Sequence, residues 1–172
     1  MSLGPLYHMK NALIFANWKS NKSKNEAEKW IEEVGLSDFP DNLEVVIFPP
    51  FTLLDILSGY IKVNSLPFKL GAQDISRFDG GANTGEISAA QVKEFAEFVL
   101  IWHSERRTNF GESDEVVREK TNKAIEAGLT PIVCISSLDQ LTGLTQEQII
   151  FAYEPIASIG TGNPEDPTLV NE

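Results

Sequence analysis

The six residues from Phe98 to His103 read FVLIWH, an apolar run that ends in a histidine. Because every residue before His103 is apolar, a strand formed here would bury both of its faces. Strands of this kind are typical of parallel sheets, in which helices cover both faces. The run also places one polar side chain, that of His103, at the carboxyl end of the strand, the edge where ligands bind in such sheets.

Similar apolar runs recur along the chain, and helical patterns separate them. The other predicted strands are Leu13–Lys19, Leu43–Phe48, Phe68–Gln73, Pro131–Ile135 and Ile149–Tyr153. The predicted helices are Lys24–Val34, which a capping-box pattern at Ser23–Glu26 opens, Leu53–Tyr60, Ser88–Glu97 and Ser113–Ala127. Residues Gly80–Gly85 favour neither structure. This alternation predicts an α/β chain built from parallel βαβ units.

Composition limits the classes of partner and compartment. A chain of 172 residues with a net charge of -11 is repelled by nucleic acid and by anionic lipid, so neither is expected as a partner. No apolar run approaches the ~20 residues that cross a bilayer. The single cysteine, Cys134, fits a reducing cytosol. Residues 1–9 are interpreted as an expression leader, with the native start at Met9, and residues 10–172 as one domain.

Four polar side chains fall at predicted strand ends: those of Asn17, Lys19, His103 and Glu154. Each also has an ordinary structural interpretation. A strand-end lysine is usually solvated, a histidine can bond to a backbone carbonyl, and a glutamate before proline can cap a loop. Their shared position on one rim of a parallel sheet nevertheless makes them candidates for chemistry.

These residues lie inside longer motifs that occur in a familiar order. The motifs are Ala16–Asn21 (ANWKSN), Gly81–Glu86 (GANTGE), His103–Arg107 (HSERR), Ala152–Ile156 (AYEPI) and Ile159–Gly162 (IGTG). Together they resemble the triosephosphate isomerase family from about Ala12 to the last residue. The resemblance implies a TIM (β/α)8 barrel, of which about six βα units are present here.

The resemblance also implies an activity and the residues that perform it. The family interconverts dihydroxyacetone phosphate and D-glyceraldehyde 3-phosphate through an enediolate. On the matching positions, Glu154 is the catalytic base, His103 the electrophile that polarises the carbonyl, and Lys19 a catalytic and substrate-binding cation. Asn17 and Gly160 match substrate-binding residues. A glutamate base paired with a neutral histidine is the arrangement known for this family.

Supporting roles and partners follow from the same resemblance. Glu105 matches an acid behind the catalytic groups, and Thr84 lies in the loop that enters the partner subunit in the family's homodimers. The family needs no metal and no organic cofactor. Its members are cytoplasmic enzymes of glycolysis and gluconeogenesis, with a phosphorylated triose as substrate.

Two side chains depart from the family's motifs. Trp102 stands where the family has glycine. Either an indole must be accommodated at the strand end, or a UGA codon that is read as glycine in the source is written here as tryptophan. The codon at this position in the gene distinguishes the two. Ala157 stands where the family's mobile loop carries an aromatic residue. We expect looser loop closure and poorer retention of the enediolate, but not loss of proton abstraction.

Length is a further departure. Relative to the family, the chain lacks a stretch near residues 135–136 and the seventh and eighth strands after Glu172, whereas such barrels usually need ~200 residues or more. Two interpretations stay open: a working isomerase whose full chain is longer, and a catalytically inactive or partly folded barrel fragment that retains the motifs.

Overall fold

The computed structural model describes residues 12–144, 148–158, 161–163, 165–166 and 168, and the chain divides into two compact units. The first unit ends at Gln73 and the second begins at Asp74. The predicted leader, residues 1–9, lies outside the described residues. Within the described part, no helix is both long and apolar enough to cross a membrane.

The first unit consists of three parallel strands joined by two helices. Along the chain these are β1 (Ala12–Asn17), α1 (Lys24–Gly35), β2 (Leu43–Phe48), α2 (Phe51–Asn64) and β3 (Phe68–Ala72). Strand β2 pairs with both β1 and β3, and both pairings are parallel. The unit therefore contains two successive βαβ units, as the alternating pattern predicts.

Local chemistry fixes two points of this unit. The predicted capping box forms at α1, where the backbone N–H of Ser23 donates to Glu26 Oε2 at 2.7 Å. Gly71 in β3 lies against the fully buried ring of Phe48, and a Cβ atom at position 71 would meet Phe48 Cε1 at 2.1 Å. Only glycine therefore lets β3 pack against this ring.

The second unit also carries three parallel strands, with β5 pairing with both β4 and β6. Its elements are α3 (Ala89–Lys93), β4 (Phe98–Ile101), α4 (Ser104–Phe110), α5 (Asp114–Glu126), β5 (Thr130–Ile135), a 3₁₀ turn at Leu138–Leu141, β6 (Ile150–Tyr153) and a 3₁₀ turn at Ile156–Ser158. All four residues of β4 are buried, as are five of the six in β5. These two strands form the core of the unit.

The predicted burial of both strand faces is wrong for β1 and β6. Leu13 and Ile14 in β1 are 40% and 50% exposed, and Phe151 and Tyr153 in β6 are 38% and 42% exposed. Among the described residues, β1 pairs only with β2 and β6 only with β5. Each of these strands therefore leaves part of its apolar surface in contact with water.

Several predicted boundaries are also wrong. Strand β1 stops at Asn17 and β4 at Ile101, because Lys19 and Trp102 have φ values of 53° and 63°, outside the extended region. Helix α2 is longer than predicted, whereas α3 spans only five residues. Helix α4 was not expected as a separate element.

Candidate active site

The chain turns sharply between β4 and α4, and this turn presents His103. Trp102 takes the left-handed conformation, and His103 then caps α4. The Nδ1 atom of His103 accepts a hydrogen bond from the backbone N–H of Glu105 at 3.2 Å. An acceptor nitrogen carries no proton, so the proton of the neutral ring is on Nε2. His103 therefore offers an N–H donor on its other side.

Glu154 follows β6 directly and faces that donor. Its backbone N–H donates to the carbonyl of Ile135 at 2.7 Å, which continues the pairing with β5. Its Oε2 accepts a hydrogen bond from the backbone N–H of Ser104 at 2.9 Å, and its Oε1 lies 3.3 Å from Nε2 of His103. The two residues that the motifs nominate as base and electrophile are thus brought together.

This pair has the chemical features needed for proton transfer at carbon. The side chains of His103 and Glu154 are only 15% and 19% exposed, so water screens them weakly. A carboxylate held near a substrate can remove a carbon-bound proton. A neighbouring N–H can stabilise the oxygen anion that develops beside that carbon. Both groups lie at the carboxyl ends of strands, β6 and β4 respectively.

The structure accommodates the tryptophan that departs from the family's motif. The Trp102 indole is 4% exposed, and its Nε1 donates to the backbone carbonyl of Glu112 at 3.3 Å. The guanidinium of Arg107 lies over the ring, 5.2 Å from its centre. The indole therefore packs into the unit, and His103 and Glu154 still meet.

Two groups at this site were not predicted from the sequence as functional. The amide of Ser104 binds the Glu154 carboxylate, and Arg107 Nη2 lies 3.4 Å from the same oxygen, Oε2. Arg107 also donates through Nη1 to the backbone carbonyls of Trp102 and Cys134, at 2.7 and 2.9 Å. The only sequence signal for either residue is its place in the HSERR motif.

The thiol of Cys134 lies beside these charged groups. Burial, together with the negative charge of Glu154, raises the pKa of the thiol to about 12. Such a thiol is protonated at neutral pH and is therefore a poor nucleophile. Cys134 thus takes a packing role within β5.

The two supporting candidates lie at different places in the second unit. Glu105 is in the first turn of α4, and its Oε2 lies 3.7 Å from Nδ1 of His103. Thr84 is exposed on a turn within residues 81–86, which form neither helix nor strand. A cavity of about 330 Å³ opens beside α4 and is bordered by Ser104, Glu105, Arg107, Thr108, Asn109 and Ile156. Its volume suits a small ligand.

The predicted substrate contacts Asn17 and Lys19 belong to the first unit. The backbone N–H of Lys19 donates to Asn17 Oδ1 at 2.9 Å, and the side-chain amide of Gln73 donates to the carbonyl of Lys19 at 2.7 Å. These bonds hold Lys19 in its left-handed conformation with the residue exposed. Gln73 was not predicted to have this role. Gly160 lies outside the described residues.

A buried group of charges supports the region behind α4. Lys120 Nζ contacts Asp74 Oδ1 at 2.7 Å and Glu112 Oε1 at 2.5 Å, and Arg106 Nε donates to the same oxygen of Glu112 at 2.7 Å. Burial alone would raise the pKa of Glu112, but the bonds from Lys120 and Arg106 hold it below its ordinary value. Burial raises the pKa of Asp74 despite its cationic neighbours. Through Glu112, in the turn between the two helices, these ion pairs join α4 to the middle of α5.

The described residues contain no cluster of three or more histidine, cysteine, aspartate or glutamate side chains placed to hold a metal ion.

The amino-acid sequence was compared with a family model and with known proteins. The family model for triosephosphate isomerase matches residues 12–172. The chain is 41% identical over 181 residues to triosephosphate isomerase of Chlamydia trachomatis, 39% over 171 to that of Gluconacetobacter diazotrophicus and 37% over 176 to that of Trichodesmium erythraeum. These alignments cover 92%, 88% and 90% of this chain. They cover 65%, 68% and 72% of the respective relatives, so the chain spans about two thirds of their length.

Proposed function

The chain belongs to the triosephosphate isomerase family, and from this premise we propose that it interconverts dihydroxyacetone phosphate and D-glyceraldehyde 3-phosphate. The observation that carries the proposal is the pairing of Glu154 and His103. One carboxylate oxygen of Glu154 lies 3.3 Å from Nε2 of His103, and Nδ1 of that ring is occupied by the amide of Glu105. A base and an N–H donor therefore stand side by side.

In the proposed reaction, the Glu154 carboxylate removes a proton from the hydroxymethyl carbon of dihydroxyacetone phosphate. The electrons of that C–H bond form the carbon–carbon double bond of an enediolate, and the carbonyl oxygen takes the negative charge. The Nε2–H of His103 stabilises this oxygen, a contribution of about 10²–10³ in rate for a well-placed donor. The hydroxyl proton on the first carbon passes to the charged oxygen, and Glu154 returns its proton to the second carbon, so that the first carbon becomes the aldehyde and the second carries the hydroxyl. The reaction consumes no oxidant or reductant and needs no metal or organic cofactor.

The remaining roles are proposed from matching positions. Lys19 supplies positive charge to a substrate phosphate, which a chain of net charge -11 must provide locally. Asn17 contacts the substrate and supports the backbone of Lys19. Gly160 donates its amide to the phosphate. Glu105 supports the tautomer of His103, because its backbone N–H occupies Nδ1.

Assembly and location are proposed in the same way. The exposed turn that carries Thr84 would enter a second copy of the chain in a homodimer. The enzyme would act in the cytoplasm, in glycolysis and gluconeogenesis. Neither nucleic acid nor a membrane is proposed as a partner.

A coupled assay with glyceraldehyde 3-phosphate tests the proposal. Glu154→Gln removes the base, and we expect kcat/KM to fall by a factor of ~10²–10⁴. Glu94→Gln is the matched control, since it changes an exposed glutamate at the end of α3, and it should retain full turnover. Absence of turnover in a folded, unmodified sample would contradict the proposal and favour an inactive barrel fragment.

A further inference from the structure

The loop between β1 and α1, residues 18–23, places a lysine against two tryptophan rings. The ammonium group of Lys22 lies 5.1 Å from the ring centre of Trp18 and 5.8 Å from that of Trp30. We propose that Lys22 is a positioning residue that holds this loop and, with it, Lys19. The inference rests on the proposed function, in which Lys19 supplies positive charge to the substrate phosphate.

The two rings that receive Lys22 belong to packed parts of the first unit. Trp18 follows β1 directly and is only 8% exposed, and Trp30 lies in α1. The rings meet edge to face with their centres 5.2 Å apart. The Trp30 ring also packs against Phe68 of β3, at 6.1 Å between ring centres. An ammonium group attracted to both rings therefore ties the loop to the core of the unit.

The backbone of this loop is in a conformation that needs such restraint. Lys19 and Lys22 have φ values of 53° and 72°. This left-handed region is unfavourable for a residue with a side chain, so it persists where surrounding contacts hold it. At Lys19 the bonds to Asn17 and Gln73 supply those contacts. At Lys22 the two aromatic rings supply them.

The loop is short enough for a change at Lys22 to reach Lys19. The side-chain amide of Asn21 donates to the carbonyl of Trp18 at 2.8 Å, which closes the loop on itself. The backbone N–H of Ser23 is held by the capping box of α1. Because both ends of the loop are anchored, loss of the ring contacts acts on the few residues between them, and Lys19 is one of these.

Displacement of Lys19 should weaken substrate binding more than the chemical step. The phosphate keeps its charge through the reaction, so a cation beside it stabilises the bound substrate and the transition state alike. If the cation moves from about 4 Å to about 5 Å away, at an effective dielectric constant of about 20, binding weakens about fourfold for each phosphate charge. Two charges give about 16-fold. KM should therefore rise by about 4-fold to 16-fold, with kcat within about threefold of the original value.

Three variants separate this role from others in the coupled assay. Lys22→Met keeps the length and apolar stem of the side chain but loses its charge, and it should show the rise in KM. Lys22→Arg keeps a cation over the rings and should restore KM to within about twofold. Lys24→Met is the matched control, because it removes the same charge two residues away, from a side chain that is 58% exposed and pairs with Glu28. It should leave KM unchanged.

Two kinetic outcomes would overturn the inference. If Lys22→Met lowers the unfolding temperature but leaves KM of the folded protein unchanged, Lys22 has a purely structural role. If Lys24→Met raises KM as much as Lys22→Met does, the effect comes from net charge and not from the ring contacts. In either case, inactivity of Glu154→Gln would leave the proposed function standing.

A second readout does not depend on turnover. The backbone amide of Lys19 donates to Asn17 Oδ1 at 2.9 Å, and NMR follows the exchange of its proton in D₂O. Lys22→Met should speed this exchange by about 2-fold to 30-fold, the range expected for a lost cation–π contact. The amide of Leu66, bonded to the carbonyl of Ile61 beside the end of α2, should exchange as in the original chain.

The exchange result decides the inference whether or not the chain is an isomerase. Unchanged exchange at Lys19 in Lys22→Met, or equal acceleration at Lys19 and Leu66, would show that Lys22 does not hold the loop. If the original chain gives no turnover, the proposed function fails, and faster exchange at Lys19 alone still supports the part of Lys22 in fixing the loop.

Discussion

Replacement of Trp102 by glycine tests how the active-site turn is built. Trp102 combines two opposing features: its φ of 63° is unfavourable for a residue with a side chain, and the residue is only 4% exposed. Glycine relieves the first feature and removes the second. The balance between them can be estimated from the structure.

Loss of a buried aromatic side chain costs about 3–5 kcal/mol of unfolding free energy. Relief of the left-handed conformation raises the unfolding free energy by about 1–2 kcal/mol. The greater freedom of glycine in the unfolded chain lowers it again by about 0.4–1 kcal/mol. We therefore expect Trp102→Gly to destabilise the chain by roughly 2–4 kcal/mol. Trp102→Ala loses the same indole without relief of the backbone, so it should be less stable than the glycine variant, by about 1 kcal/mol.

Urea unfolding followed by far-ultraviolet circular dichroism measures these differences without relying on the fluorescence that the substitution removes. The expected order of stability is Trp102, then glycine, then alanine. If the alanine variant is as stable as the glycine variant, the left-handed conformation at position 102 is wrong. If the glycine variant is as stable as the original chain, the indole does not contribute the packing that the structure gives it.

Three further predictions concern a buried thiol, a packed glycine and the loop after Glu154. Cys134 should make stability fall with pH above 9.0, because its pKa rises from 9.0 to about 12 on folding. The folded chain keeps a proton that the unfolded chain loses, so this thiol lowers the unfolding free energy by up to ~1.4 kcal/mol per pH unit. Cys134→Ala should make the slope less steep in urea titrations, and equal slopes would contradict the prediction. Gly71→Ala should lower the unfolding free energy by about 1–3 kcal/mol or more, because the new Cβ atom would meet the Phe48 ring at 2.1 Å. The control Gly59→Ala lies in helix α2 with nothing within 4 Å of the new Cβ atom, and it should raise the unfolding free energy by about 0.5–1 kcal/mol. A higher thermal unfolding temperature for Gly71→Ala than for Gly59→Ala would refute the packing of Gly71 against Phe48. Ala157→Trp should lower the methylglyoxal released per turnover by enediolate breakdown, and an unchanged ratio would show that the aromatic side chain is not what retains the intermediate.

Apolar patterning predicted the strands well, but it could not locate the turns that end them. Leu43–Phe48 is predicted and observed with the same bounds. The runs ending at Lys19 and His103 continue past the true strand ends, because nothing in an apolar pattern reveals a left-handed backbone at Lys19 or Trp102. These turns depend on bonds to residues distant in sequence, such as that from Gln73 to the carbonyl of Lys19.

Helix α4 shows a second limit of sequence patterns. Its residues, SERRTNF, include none that is buried, so the segment has no amphipathic periodicity to detect. The helix is specified instead at its ends, where His103 accepts from the amide of Glu105 and Gly111 has a φ of 64°. Histidine and glycine are common in loops as well, so the sequence alone does not identify His103 and Gly111 as the caps of a short polar helix.

The candidate site was foreseen in part. Motifs nominated His103 and Glu154, and the structure places them together in the second unit. Arg107 contacts Cys134 and Glu154, residues far along the chain, and no local pattern contains such contacts. Tertiary structure was therefore needed to separate Arg107 from its neighbour Arg106, which binds Glu112 instead.

The central claim is that Glu154 transfers a proton through an enediolate, and isomerisation in D₂O tests it most directly. The chain is incubated with glyceraldehyde 3-phosphate, and the dihydroxyacetone phosphate formed is analysed by ¹H NMR. The account predicts product that carries solvent deuterium on its hydroxymethyl carbon, because the proton held by Glu154 exchanges with solvent, and it predicts at least ~10²-fold less product with Glu154→Gln. Turnover that persists in Glu154→Gln at the original rate, or product with no deuterium at that carbon, would contradict the account.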